Sequence, residues 1–226
     1  MNRKPLFFSI ICILITCAIS AYAWHGLPVM DQYPVHWDAQ GKPNGFSSRN
    51  GVLFNLILFP AVSVFMTTVF YLMPKIEPLQ KNLEESRSAY NTVWVLCMLL
   101  MTGVGGLIAY AYIGGEKGAE LGASPRVVVI GMSLLFIGIG NVLGKVRQNF
   151  MLGIRTPWTL SSELSWEKTH RLGGRGFVLG GLLSIAVAVI APQYAFGFFT
   201  AFVLLIAVVS FLYSYIIWKS DPNKRS

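Results

Sequence analysis

Six long apolar runs leave this chain little choice of architecture. They are Leu6–Ala23, Val52–Met73, Tyr90–Ile113, Pro125–Leu143, Phe177–Ala191 and Tyr194–Trp218. Apart from Arg126 at the edge of the fourth, none contains Asp, Glu, Lys or Arg. A helix needs about 20 apolar residues to cross the hydrocarbon of a bilayer. The fifth run is short and reaches that length by recruiting the glycines before it. The pattern predicts an all-α polytopic membrane protein with six transmembrane helices. Composition agrees: 12% of residues are charged, about half the usual ~25% of soluble domains.

The first run follows Asn2-Arg3-Lys4 and exits through Tyr22-Ala23-Trp24-His25. That exit lacks the small-residue cleavage site of a signal peptide, so an uncleaved spanning helix is expected, with Tyr22 and Trp24 in an interfacial aromatic belt. Pro60 should break the second span softly and Pro74 should end it. Lys75–Ala89 should hold a short helix, Gly114–Ser124 a Gly-rich turn, and Pro192-Gln193 a tight one. Cys12, Cys17 and Cys97 all fall in apolar runs without metal or disulfide spacing, and are expected as small buried hydrophobes. Two modules are expected: a two-span unit over 1–89 with a structured outer loop at 24–50, and a four-span unit over 90–226 carrying an inner loop at 144–176.

Charge sets the expected orientation. Segments 1–5, 74–89, 144–176 and 219–226 hold 14 of the 18 Lys and Arg and six of the ten acids, and so carry the whole net charge of +8. By the positive-inside rule these segments and both termini are cytoplasmic in a multi-pass plasma-membrane protein. The excess is explained by topology and favours anionic lipid, so no direct nucleic-acid binding is expected. Proton and ion carriers place ionisable groups at membrane depth; their near absence argues against a proton-coupled pump. Among polar residues in the spans, Asn55, Ser63, Thr67, Thr68, Ser133, Asn141 and Ser184, Asn141 stands out near an inner end. Gly140-x-x-x-Gly144 and Gly176-x-x-x-Gly180, with Gly181, predict close packing of spans four and five around the inner loop.

The outer loop is too ordered in composition for a linker. Pro34-Val35-His36-Trp37 predicts an extended segment. Asp38-Ala39-Gln40-Gly41 fits a turn with Asp first and Gly last, and Pro43-Asn44-Gly45 suggests a second turn. Trp37 and Phe46 are positioned to pack across it or on the membrane surface. His36, Asp38, His25 and Asp31 are scattered without a ligand signature, so no metal or cofactor is expected and a structural cap is preferred.

The inner loop carries the strongest signal: Asn149–His170, read NFMLGIRTPWTLSSELSWEKTH. Gly153 supplies a bend and Thr156-Pro157 stops the fourth helix. Ser161 or Ser162 can cap a new helix with Glu163 in its first turn. Glu167 and Arg171 form an i,i+4 pair. Gly173-Gly174 should end this helix. Glu163, Trp166 and His170 share one face of it. Three uses compete: a brace, with Arg155 paired to Glu163 or Glu167; a docking site built on Trp158, Trp166 and Arg155; and an active site using Arg155, Glu163 and His170. The last lacks a nucleophile or metal.

At these residues the sequence resembles the SdpI family of bacterial membrane immunity and signalling proteins. Asn141, Lys145, Asn149 and the GIRTPWTLSSELSWEKTHR run match its signature. The outer segment, with Pro34, His36, Trp37, Asp38, Gly41, Pro43 and Gly45, resembles a companion module of unknown function. The resemblance implies a non-enzymatic protein that protects against a secreted peptide toxin and holds a transcriptional repressor at the membrane. Partner binding then falls to Asn149, Arg155, Thr156, Pro157, Trp158, Thr159, Glu163, Trp166 and His170, and toxin sensing to the outer residues. The alternative is a membrane enzyme or a lipid or small-molecule transporter built on Arg155, Glu163 and His170.

Overall fold

The computed structural model describes residues 3–114 and 124–224. Six helices are long and apolar enough to cross a membrane: α1 (Lys4–His25), α2 (Arg49–Ile76), α4 (Arg87–Ile113), α5 (Pro125–Leu143), α7 (Glu163–Ile190) and α8 (Ala195–Ser220). Two short helices, α3 (Gln80–Glu85) and α6 (Pro157–Ser161), lie in connections, and a 3-10 turn at Pro192–Tyr194 joins α7 to α8. All but residues Gly114 and Ser124 of the expected Gly-rich turn lie outside the described residues.

The helices pack as two groups of three, α1 with α2 and α4, and α5 with α7 and α8, and α4 meets α5 between them. Large side chains such as Phe7, Leu14, Phe54, Phe65, Leu179, Leu204 and Leu205 face outward. In water that band would be a liability; in lipid it is the solvated surface. Because lipid is as apolar as Leu, helix contacts are made with small residues and hydroxyls instead. Ser9, Thr16, Ser63, Ser133, Ser184, Ser210 and Ser214 are all buried. Several hydroxyls satisfy themselves one turn back, as Thr16 does on the Cys12 carbonyl at 2.7 Å and Thr67 on the Ser63 carbonyl at 2.8 Å. Of the cysteines, Cys12 is buried but Cys17 faces outward, contrary to expectation. Asn141 also faces outward rather than into a helix contact.

Gly140 and Gly181 pack spans four and five together as predicted, while other glycines do different work. Gly173-Gly174 does not end a helix, because α7 runs unbroken from Glu163 to Ile190. Both glycines are buried in helix contacts. A Cβ on Gly174 would stand 2.8 Å from the Gly140 carbonyl, and one on Gly140 would stand 2.6 Å from the Gly174 carbonyl. That mutual contact seals α5 to α7. Gly181 also faces α5, with a Cβ falling 2.9 Å from the Ser133 carbonyl. Gly176 and Gly180 instead face Ile206 and Phe202 of α8. Pro74 fails to stop α2, which runs on to Ile76; a proline interrupts a helix by removing its own N–H, and here the last turn closes around it.

At one end of the bundle, between α1 and α2, the chain forms an antiparallel hairpin of β1 (Tyr33–Trp37) and β2 (Pro43–Ser47). Pro43-Asn44-Gly45 is therefore strand, not a second turn. The other end carries α3, the α5–α7 connection and residues 219–224. We call these the hairpin end and the basic end.

Candidate functional site

At the basic end the chain leaves α5 and threads across the bundle before entering α7. Asn149, fully buried, organises the crossing. Its Oδ1 accepts from the Met151 and Leu152 N–H groups at 2.8 and 2.7 Å, and its Nδ2 donates to the Arg147 carbonyl at 2.8 Å. One side chain thus replaces the hydrogen bonds a helix would have supplied. Gly153 follows with φ +126°, and a Cβ there would fall 2.3 Å from His170 Nε2. Only glycine suits both the backbone and the space.

Trp166 and His170 form the floor beneath it. They are one helical turn apart on α7, stacked with centroids 3.9 Å apart, and each is 1% exposed. The Trp166 indole donates to the Val146 carbonyl at 2.7 Å. His170 Nε2 accepts from the Ile154 N–H at 3.0 Å, which assigns the ring proton to Nδ1, donating to the Trp166 carbonyl at 2.8 Å. The imidazole is therefore neutral, with both nitrogens occupied.

Thr156 and Thr159 close a capping box over α6, and Thr156 reaches Ser214 of α8 at 3.0 Å. Ser162 caps α7 through the Ser165 N–H at 2.9 Å and donates to the Asp221 carboxylate at 2.5 Å, which ties in the C-terminal segment. The Ser162 hydroxyl, followed by the Asn223 N–H and Lys224, holds the Asp221 carboxyl below the usual carboxylate range, against the opposing effect of burial. Trp158 lies edge-on to Phe211 and tilted on Tyr215 of α8, at 4.7 and 5.1 Å between centroids.

The crossing also binds the two helix groups together. Buried Glu77, at the end of α2, accepts from Leu79 N–H at 2.9 Å and from Phe150 N–H at 3.0 Å. Asn82 donates to the Gln148 carbonyl, and Arg147 N–H donates to Ser86, both at 2.8 Å. An ion-pair chain runs Glu85, Arg147, Glu167, Arg171, each step 3.6 Å. The expected Glu167–Arg171 pair is thus present. Arg155 does not pair with Glu163 or Glu167; it donates to the Phe150 carbonyl at 2.5 Å and is exposed.

Of the inner-loop residues singled out in the sequence, Asn149, Thr156, Thr159, Trp166 and His170 are turned inward and hydrogen-bonded. Arg155, Pro157, Trp158 and Glu163 make up the accessible part. Glu163 is exposed while His170 is buried, so the two do not form a shared acid–base surface. Glu77, Asn82, Ser86 and Asp221 were not anticipated. Their decisive partners lie 73, 66, 61 and 59 positions away, beyond any local spacing rule.

At the hairpin end, Asp38 builds the turn as its spacing predicts. Its Oδ1 accepts from the Gln40 and Lys42 N–H groups, and Gly41 adopts φ +79°. His36 Nδ1 meets Asn44 Oδ1 across the strands at 2.5 Å, and Gly45 leaves room for the His36 Cβ. Trp37 packs on Tyr112 of α4, while Phe46 stays exposed. Asn55 donates to the Tyr112 hydroxyl at 2.9 Å. Pro34 pairs with Phe46, and Pro43 with Trp37. Among the described residues, no group of three or more His, Cys, Asp or Glu is placed to hold a metal.

The brace at the basic end lies within a segment that matches a known family. Residues 145–214 match the SdpI/YfhL protein family, and residues 11–62 match DUF1648, a domain of unknown function. Over 225 residues, all of both chains, the sequence is 26% identical to the immunity protein SdpI of Bacillus subtilis (strain 168). The SdpI-family segment and the full-length likeness together support membership of the SdpI family. The chain is a multi-pass membrane protein similar along its whole length to an immunity protein. The family segment begins at Lys145, immediately after α5, and ends at Ser214, whose carbonyl and hydroxyl hold Ser165 and Thr156. It thus covers both sides of the brace. No solved structure matches the chain at a significant level.

Proposed function

We propose that this SdpI-family protein is an immunity component of the plasma membrane, protecting against a secreted peptide toxin without enzymatic chemistry. In this reading the basic end faces the cytosol and the hairpin faces outward as the sensor. Arg155, Pro157, Trp158 and Glu163 form the surface that holds a repressor. The observation that carries the reading is that the polar side chains in the signature brace it from within. A neutral His170 with both nitrogens engaged supplies neither acid nor base, so the segment offers a rigid recognition surface rather than a reaction centre. Likeness to an immunity protein over the full chain supports the same class.

The test is expression in a toxin-sensitive bacterium challenged with supernatant from a toxin-secreting strain. Survival should rise over empty vector, and equal survival overturns the immunity reading. For the docking surface, a tagged candidate repressor should move to the membrane fraction with the native protein and remain soluble with Trp158→Ala. Equal recruitment by both rules Trp158 out of the contact.

A further inference from the structure

We propose that the corner enclosed by the end of α2, α3 and the first turns of α4 binds the headgroup of an anionic phospholipid. A cavity of about 310 Å³ opens there at the basic end. Its position follows from the chain: Lys75 comes just after the apolar stretch of α2, and Asn91 sits one turn into α4. The cavity therefore lies at headgroup depth.

Its chemistry is a surplus of donors over acceptors. Lys75, Gln80 and Asn91 line it, and none has an acidic or hydrogen-bonding partner among the described residues. Lys75 meets only the Tyr71 ring, at 4.3 Å. Trp94, also in the lining, is 3% exposed and its indole N–H has no acceptor. Glu84 supplies the one carboxylate, and Arg87 neutralises it at 3.1 Å. The net charge left in the cavity is that of Lys75. Lys75 and Gln80 are exposed and Asn91 is half-buried, so their donors are open to an incoming acceptor; the buried Trp94 N–H is the one whose missing partner is costly. A soluble anion would satisfy the donors but not the rest of the lining, where Leu83, Tyr90 and Trp94 supply an apolar floor. An anionic phospholipid satisfies both, with phosphate oxygens on the donors and the glycerol and chains along the aromatic wall.

The experiment uses the full chain in detergent, with phosphatidylglycerol or phosphatidylcholine added and bound lipid counted by native mass spectrometry. The native protein should retain the anionic lipid preferentially. Lys75→Gln should reduce that preference about fivefold, the value of one basic contact at a membrane surface. Asn91→Ala should reduce it further, and Lys75→Arg should keep it. Lys168→Gln removes an exposed base elsewhere at the same end and should leave the preference intact. If Lys168→Gln is as damaging as Lys75→Gln, binding reflects diffuse charge and the site is refuted. Complete displacement of the lipid by glycerol phosphate, which lacks chains, would make this a soluble-anion site and overturn the lipid assignment.

Discussion

His170 looks in the sequence like a general base and is in the fold a structural acceptor. What converts it is the Ile154 N–H, 16 positions away, directed at Nε2. His170→Phe keeps a ring on Trp166 but leaves that N–H without its acceptor. It should cost about 1–3 kcal/mol, read as a lower thermal midpoint in detergent; an unchanged midpoint would show the bond to be unimportant. Gly153→Ala should cost more than that, since it adds backbone strain at φ +126° to a clash with the same imidazole. Asp221 gives the brace a pH dependence of known sign. Its carboxyl is held below the ordinary value of ~3.9, chiefly by Ser162. The stabilisation is fully present above that value and is lost as pH falls through the folded-state value beneath it. The protection of the Asn223 amide, whose N–H donates to Asp221, measured as its exchange rate relative to an unstructured chain at the same pH, should therefore fall in acid. Asp221→Asn should show fast exchange already at neutral pH, and slow exchange in that variant would contradict the latch.

Between helices, glycine placement separates packing from mere composition. Gly140 and Gly103 both lie within apolar helices, yet a Cβ at Gly140 would meet the Gly174 carbonyl, while one at Gly103 meets nothing within 4 Å. Gly140→Ala should destabilise the α5–α7 contact by about 1–3 kcal/mol, in the range of other overpacked cores. Gly103→Ala should be neutral or slightly stabilising. Thermal midpoints of the two variants compared side by side decide this; equal gains would mean that the glycines act only through helix propensity. The continuity of α7 has the same origin. Gly173 and Gly174 read locally as a stop signal, but buried against α5 and α8 their missing side chains are what allows the helix to pass.

Across the whole molecule the +8 charge implies a fixed orientation. In intact cells a membrane-impermeant maleimide should label Asn44→Cys, on the hairpin, and should reach Glu163→Cys only after permeabilisation. The reverse pattern would invert the topology and with it the assignment of sensor and docking surfaces. The native cysteines lie within the spanning helices α1 and α4, which keeps the background low.

What the sequence determined by itself was whatever depends on short range or on bulk solvation. Six apolar runs gave six spanning helices because a bilayer leaves backbone polar groups no other partner. Asp38 and Gly41 gave the turn, and Ser162 gave the cap, because their hydrogen bonds close within two to four residues. The tertiary structure alone decided which signature residues face inward and which helix each glycine serves. It also decided that Glu77, Asn82 and Ser86 tie one group of helices to the crossing of the other. Those outcomes depend on partners tens of residues away, brought within hydrogen-bond range only once the helices have packed, and no local pattern encodes such a distance.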